Sequence, residues 1–169
     1  MPVTFRAAAL DDVDLLTRWD SQPHVVAATG ADDDQDWAVA INSRDDATWH
    51  LIAELDGRPI GLVQIIDPAR EVTHYWGDVP PNLRAIDIWI GEESDLGHGW
   101  GTQMMRLALQ RCFSSPEVTA VLIDPLATNT RAIRFYRRCG FREVGPRRFG
   151  EDDCLVMRID RRQWQAATA

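Results

Sequence analysis

The 169-residue sequence predicts a mixed α/β (α+β) fold, with a central, mostly antiparallel sheet flanked by helices. Residues 48–66 form two β-rich runs around Asp56-Gly57, the signature of a hairpin with a two-residue turn. Residues 85–141 read as strand, glycine-rich loop, helix, strand and helix. Residues 142–148 and 153–159 read as a closing antiparallel pair.

Each element has a local reason. Residues 3–8 make a first strand. Asp11 or Asp12 caps a helix whose apolar face is Val13, Leu15, Leu16 and Trp19. Residues 21–26 read as a loop and a short helix with Pro23 in its first turn. A third helix is expected over 33–42. The hairpin follows and ends at Asp67-Pro68. Residues 69–83 are irregular but carry His74-Tyr75-Trp76-Gly77, which predicts a packed binding loop. In 85–91, Ile86, Ile88 and Ile90 share one strand face, so Asp87 points the other way, toward a cleft or solvent. Residues 103–113 place Met104, Met105, Ala108, Leu109 and Cys112 at helical spacing. Residues 118–124 are β-rich, and a helix follows Asn129.

This length predicts one domain, 1–169, able to bury a core without staples. Cys112, Cys139 and Cys154 are odd in number and far apart, which fits reduced thiols in the cytoplasm. His24, His50, His74 and His98 form no ligand pattern with them, so no metal is expected. No apolar run is long enough to span a bilayer, and the N-terminus lacks signal-peptide shape. A formal net charge of −8 argues against nucleic acid and for a cationic small molecule. Acidic residues cluster at 32–36 and 151–153, and basic ones gather between Arg131 and Arg148. A monomer or a homodimer is equally compatible with the chain.

The strongest chemical signal is Leu-Gly-His-Gly-Trp-Gly-Thr at 96–102, directly before a helix. Glycines let the backbone approach a ligand, and a helix N-terminus offers unpaired N–H groups to a phosphate. Gly97, Gly99 and Gly101 do not have dinucleotide-fingerprint spacing, and Thr102 is not preceded by the P-loop lysine.

Together with Asn129-x-x-Ala132-x-x-Phe135-Tyr136-x-x-Cys139-Gly140-Phe141, this loop resembles the GNAT superfamily of N-acetyltransferases. Gly99 and Gly101 match the family's loop glycines, while Leu96 stands where Arg or Gln is usual. Arg84-Ala85-Ile86-Asp87, Asp124-Pro125, and Trp19 followed by Pro23-His24-Val25 are similar to aminoglycoside 6′-N-acetyltransferases. Ala27-Ala28 replaces the tryptophan pair expected after the histidine. The resemblance implies a splayed parallel strand pair that admits acetyl-CoA.

It also implies roles. Gly97, His98, Gly99, Trp100, Gly101 and Thr102 cradle the cofactor's pyrophosphate. The backbone of Ile88, Trp89 and Ile90 pairs with its pantetheine as an added strand would. Asn129 either bonds the pantetheine or caps a helix. Asp87 is the base or acceptor clamp, and Tyr136 the acid. Asp124 binds the amino sugar or forms a turn. His24, Gln64 and Trp76 are further acceptor contacts, with Tyr75 and Trp49 available for stacking. The implied reaction is acetyl transfer from acetyl-CoA to an aminoglycoside amine. The alternatives are acylation of a siderophore hydroxylysine, a polyamine or a protein N-terminus, and a non-catalytic CoA-binding module.

Overall fold

The computed structural model describes residues 2–30 and 35–169. The acidic residues 32–34 and the expected start of the third helix at Asp33 lie outside the described residues. The strands are β1 (Val3–Ala7), β2 (Thr48–Leu55), β3 (Arg58–Ile66), β4 (Leu83–Ile90), β5 (Ala120–Ile123), β6 (Arg142–Phe149) and β7 (Asp152–Asp160). They form one sheet in the order β1-β2-β3-β4-β5-β7-β6. All pairs are antiparallel except β4 with β5.

The hairpin turn is as its sequence predicts. Asp56 and Gly57 both have positive φ, at 50° and 79°, which the two-residue turn requires. Downstream, β4 and β5 pair only from Leu83↔Ala120 to Ala85↔Leu122. Beyond that point the strands splay, and a cleft opens between them.

Helices α1 (Val13–Asp20), α2 (Pro23–Thr29) and α3 (Trp37–Asn42) cover one sheet face. Trp19 and Trp37 pack there with Ile52 and Leu62, and Trp89 of β4 packs against them. Helices α4 (Trp100–Ser114) and α5 (Thr130–Arg138) cover the opposite face, where Ile86, Ile88 and Ile90 meet Met104, Met105 and Ile133. The alternation read from 85–91 is thus real. Burying each such aliphatic side chain contributes ~1.5–3 kcal/mol, which fixes the register of β4 and with it the direction of Asp87.

Three local expectations change. Asp12 does not cap α1 through its side chain. Its carboxylate instead accepts two hydrogen bonds from Arg6, at 2.7 and 2.8 Å, and one from Ala9 N. A charged bidentate partner outcompetes a neutral cap. Helix α4 begins at Trp100, three residues earlier than its apolar periodicity indicates, because Gly99 supplies its N-cap. A final helix, α6 (Arg161–Thr168), was not foreseen; a capping box between Asp160 and Gln163 starts it.

Candidate active site

The splay opens into a cleft of about 1630 Å³. Small-molecule sites commonly measure about 300–1,000 Å³, so this one has room for two ligands together. Its lining includes Asp87, Trp89, Asp124, Tyr136, Gln64, His24, Asn129 and the loop before α4.

One end of the cleft is built to receive an anion. Gly97 and Gly99 have φ of +79° and +80°, and a Cβ at either would meet nothing within 4 Å. The turn is therefore demanded by backbone shape, with open space in front of it. The fifteen-residue helix α4 points its N-terminus at that space. Arg58 holds the approach to the loop through a bidentate pair with Asp95, at 2.8 and 3.0 Å. Beyond Ala85, β4 has no partner strand on its β5 side. That edge offers the backbone of Ile88 and the N–H of Ile90 to an extended amide ligand, while Trp89 pairs with Leu62 of β3 and Ile90 O is bonded by His24.

The other end is acidic. Asp87 stands two residues beyond Ala85, and Asp124 two beyond Leu122, the last paired residues of the two strands. The two carboxylates therefore hold equivalent positions on either side of the splay. Tyr75 Oη donates to Asp124 Oδ2 at 2.5 Å. Burial raises the pKa of Asp124 to about 6, against the lowering effects of this hydrogen bond and of Arg147. Tyr136 reaches the same space from α5. Burial, then the negative charges of Asp87 and Asp124, push its phenol well above the usual range. Tyr136 is neutral at neutral pH.

Other expected residues divide. Gln64 is 7 % exposed and sits opposite Asp87 in the sheet register. His24 Nε2 bonds Ile90 O at 2.9 Å, tying α2 to β4 across the chain rather than locally. Asn129 Oδ1 accepts from Ala132 N at 3.1 Å, so it does cap α5, and the residue also lines the cleft. His98 is exposed and stacks on Trp100 with centroids 4.9 Å apart; it stands outside the cleft lining.

Trp76 lines the cleft as well. Its ring is 3 % exposed, packed edge-on to Phe149 and beneath Arg147. Tyr75 is the exposed aromatic at that place, at 48 %, stacked on Phe149 with centroids 4.5 Å apart.

Two features had no sequence signal. Glu71 is 6 % exposed and accepts from Thr73 N, Thr73 Oγ1 and Tyr75 N at 2.6–2.7 Å, which folds the loop around a buried carboxylate. His50 and Gln35 hydrogen-bond the Gln64 amide. Both depend on residues distant in sequence or on loop conformation.

Residues 8–149 match the Acetyltransferase (GNAT) domain family. The chain belongs to the GNAT acetyltransferase family. This GNAT domain is 32 % identical over 152 residues to the aminoglycoside N(6′)-acetyltransferase type 1 of Klebsiella pneumoniae, covering 85 % of this chain and 75 % of the relative. It is 24 % identical over 148 residues to the lysine N-acyltransferase MbtK of Mycobacterium tuberculosis, covering 85 % and 70 %. Among solved structures, AAC(6′)-Ib in complex with ribostamycin and coenzyme A superposes with a TM-score of 0.89 at 26 % identity, covering 100 % of this chain and 99 % of that one. The splayed pair and the glycine loop are thus features of a GNAT fold. Among the described residues of the domain, no helix is long and apolar enough to cross a membrane.

Proposed function

We propose that this protein transfers acetyl from acetyl-CoA to an amine of an aminoglycoside or related aminocyclitol, directly and within a ternary complex. The observation that carries the reading is the matching placement of Asp87 and Asp124, each two residues past the last β4–β5 pair, beside a neutral Tyr136 and next to an anion-binding loop.

The residues present fit acetyl-CoA. Gly97, Gly99, Gly101, Trp100 and Thr102 would hold the pyrophosphate with main-chain N–H groups, so Leu96 costs the loop nothing. Of Ile88, Trp89 and Ile90, the free backbone groups of Ile88 and Ile90 would hold the pantetheine, with Trp89 between them paired to β3. When bound, acetyl-CoA supplies an activated acyl group. A backbone N–H of the unpaired β4 edge polarises the acyl carbonyl; such donors are worth about 2.7–4 kcal/mol in other enzymes. Asp87 takes the proton of the acceptor ammonium, directly or through a water. Tyr136 holds the proton that the departing sulfur requires.

The state of the thiols supports direct transfer. Cys139 and Cys154 are pushed up to about 11 and Cys112 to about 12, each chiefly by burial. A thiol kept protonated is a poor nucleophile, so no cysteine here is prepared to carry the acetyl group.

The acceptor class rests on charge and room. Two carboxylates on one face suit a polycation. Ala27 and Ala28 line the cleft where the resemblance leads one to expect a tryptophan pair, which leaves its acceptor end wide. A multi-ring aminocyclitol fills such a site better than a linear amine. Loss of one ammonium charge would weaken such a compound's hold on RNA phosphates. The likeness to MbtK keeps a lysine-type acceptor as the second reading.

The test is thiol release from acetyl-CoA with kanamycin, ribostamycin, spermidine, hydroxylysine and a peptide. Fast release with an aminoglycoside is expected. Release with hydroxylysine alone would replace the acceptor, and release with none would remove the catalytic reading.

A further inference from the structure

His50, Gln64 and Asp87 form one row across three adjacent strands. His50 pairs with Gln64 in the β2–β3 register, and Gln64 with Asp87 in the β3–β4 register. Side chains opposite one another in neighbouring strands share a face. The row therefore starts under α3 and runs into the acceptor end of the cleft.

Within it, the amide of Gln64 is held at one end. Its Nε2 lies 3.0 Å from His50 Nδ1 and 3.2 Å from Gln35 Oε1. An amide nitrogen has two protons, and these two acceptors use both. Oε1 is then the end of the amide left for a ligand. An oxygen beside Asp87 adds an acceptor for an ammonium, whereas an N–H₂ group there would repel it.

From this geometry we infer that His50 is a positioning residue: its Nδ1 lone pair fixes the orientation of Gln64, so that Oε1 faces the acceptor amine. The inference rests on the amine-acceptor reading above. The arrangement needs His50 with its proton on Nε2 and Nδ1 bare. Burial favours that form by lowering the histidine's pKa, and the nearby charge of Asp45 opposes it. Among the described residues, the other groups packed around His50 are uncharged: the Trp37 ring of α3 stands edge-on with centroids 5.7 Å apart, and Gln64 and Gln35 supply amides. Protonation at Nδ1 puts a donor against a donor, and the Gln64 amide turns over.

His50→Phe keeps a ring against Trp37 and removes the acceptor. It raises the KM for kanamycin about tenfold, the size of one lost neutral hydrogen bond, while kcat and the KM for acetyl-CoA hold. His50→Asn restores an acceptor, Oδ1, near the position of Nδ1, and recovers the wild-type KM. In a Gln64→Leu background, His50→Phe adds nothing further. A His50→Asn variant as impaired as His50→Phe, or additive losses in the double variant, would overturn the inference by making His50 a packing residue. A readout free of substrate is ¹⁵N NMR of the histidines at neutral pH. An unprotonated, hydrogen-bonded Nδ1 at His50 supports the inference, and a protonated one overturns it. Absence of kanamycin turnover by the wild type would instead remove the aminoglycoside reading, and the NMR result would still decide how Gln64 is held.

Discussion

Tyr75 donates its hydroxyl proton to Asp124 at 2.5 Å, across 49 residues of sequence. That bond joins the loop of residues 67–82 to the end of β5, at the point where the sheet parts. It occupies one oxygen of the carboxylate, Oδ2. It also favours the ionised form of Asp124 against the burial that opposes it.

Tyr75→Phe removes this support. The pKa of Asp124 then rises further above about 6. The acid limb of kcat/KM for the acceptor moves to higher pH, with the plateau above it reduced little. A pH profile of initial rates checks this, and an unmoved limb would detach Asp124 from acceptor binding.

Asp124→Asn has a second, opposite consequence for stability. The folded-state pKa is about 6, above the ordinary value of 3.8. Below 3.8 the carboxyl is protonated in folded and unfolded chains alike, and it contributes nothing. Between 3.8 and about 6 the unfolded chain gives up the proton and the folded one keeps it, so stability falls across that window and the full cost is present above it. The asparagine variant is therefore more stable than wild type at pH 7.5, and the gain vanishes below pH ~4. Thermal unfolding at both pH values measures it. The same substitution weakens acceptor binding, so the site trades stability for function.

Asp87→Asn removes the proposed base and keeps the fold. We expect kcat to fall about 10²–10⁴-fold, the usual range for general base catalysis. Affinity for acetyl-CoA, read by calorimetry, stays at the wild-type value. Equal loss of cofactor affinity would move Asp87 to the cofactor side.

Gly99→Ala forces a Cβ into a left-handed conformation with φ +80°. The strain costs ~1–2 kcal/mol, and here it falls on the N-cap of α4. The KM for acetyl-CoA rises while that for the acceptor is retained. Steady-state kinetics with each substrate varied in turn separates the two.

Local chemistry made much of this legible from sequence. Asp56-Gly57 dictated the turn, and the isoleucine alternation at 86, 88 and 90 dictated which way Asp87 points. Asp124 and Tyr136 followed from a resemblance, and the structure brings both to the cleft. What stayed hidden depends on nonlocal partners. Composition cannot say which of two adjacent aromatics is the more exposed: Phe149 and Arg147 pack Trp76, and Tyr75 is the open one. His50 carried no signal of a positioning role, because only strand register sets it beside Gln64. Helix α6 lacks a strong apolar stripe, and none of its residues is fully buried.

The most direct test of the central claim follows the acetyl group itself. Protein is incubated with acetyl-CoA labelled in the acetyl carbon, first without acceptor and then with kanamycin. The account predicts no label on the protein in the first case and label on a kanamycin amine in the second. Label retained by the protein, or none delivered to the aminoglycoside, would contradict direct transfer at the Asp87–Asp124 face.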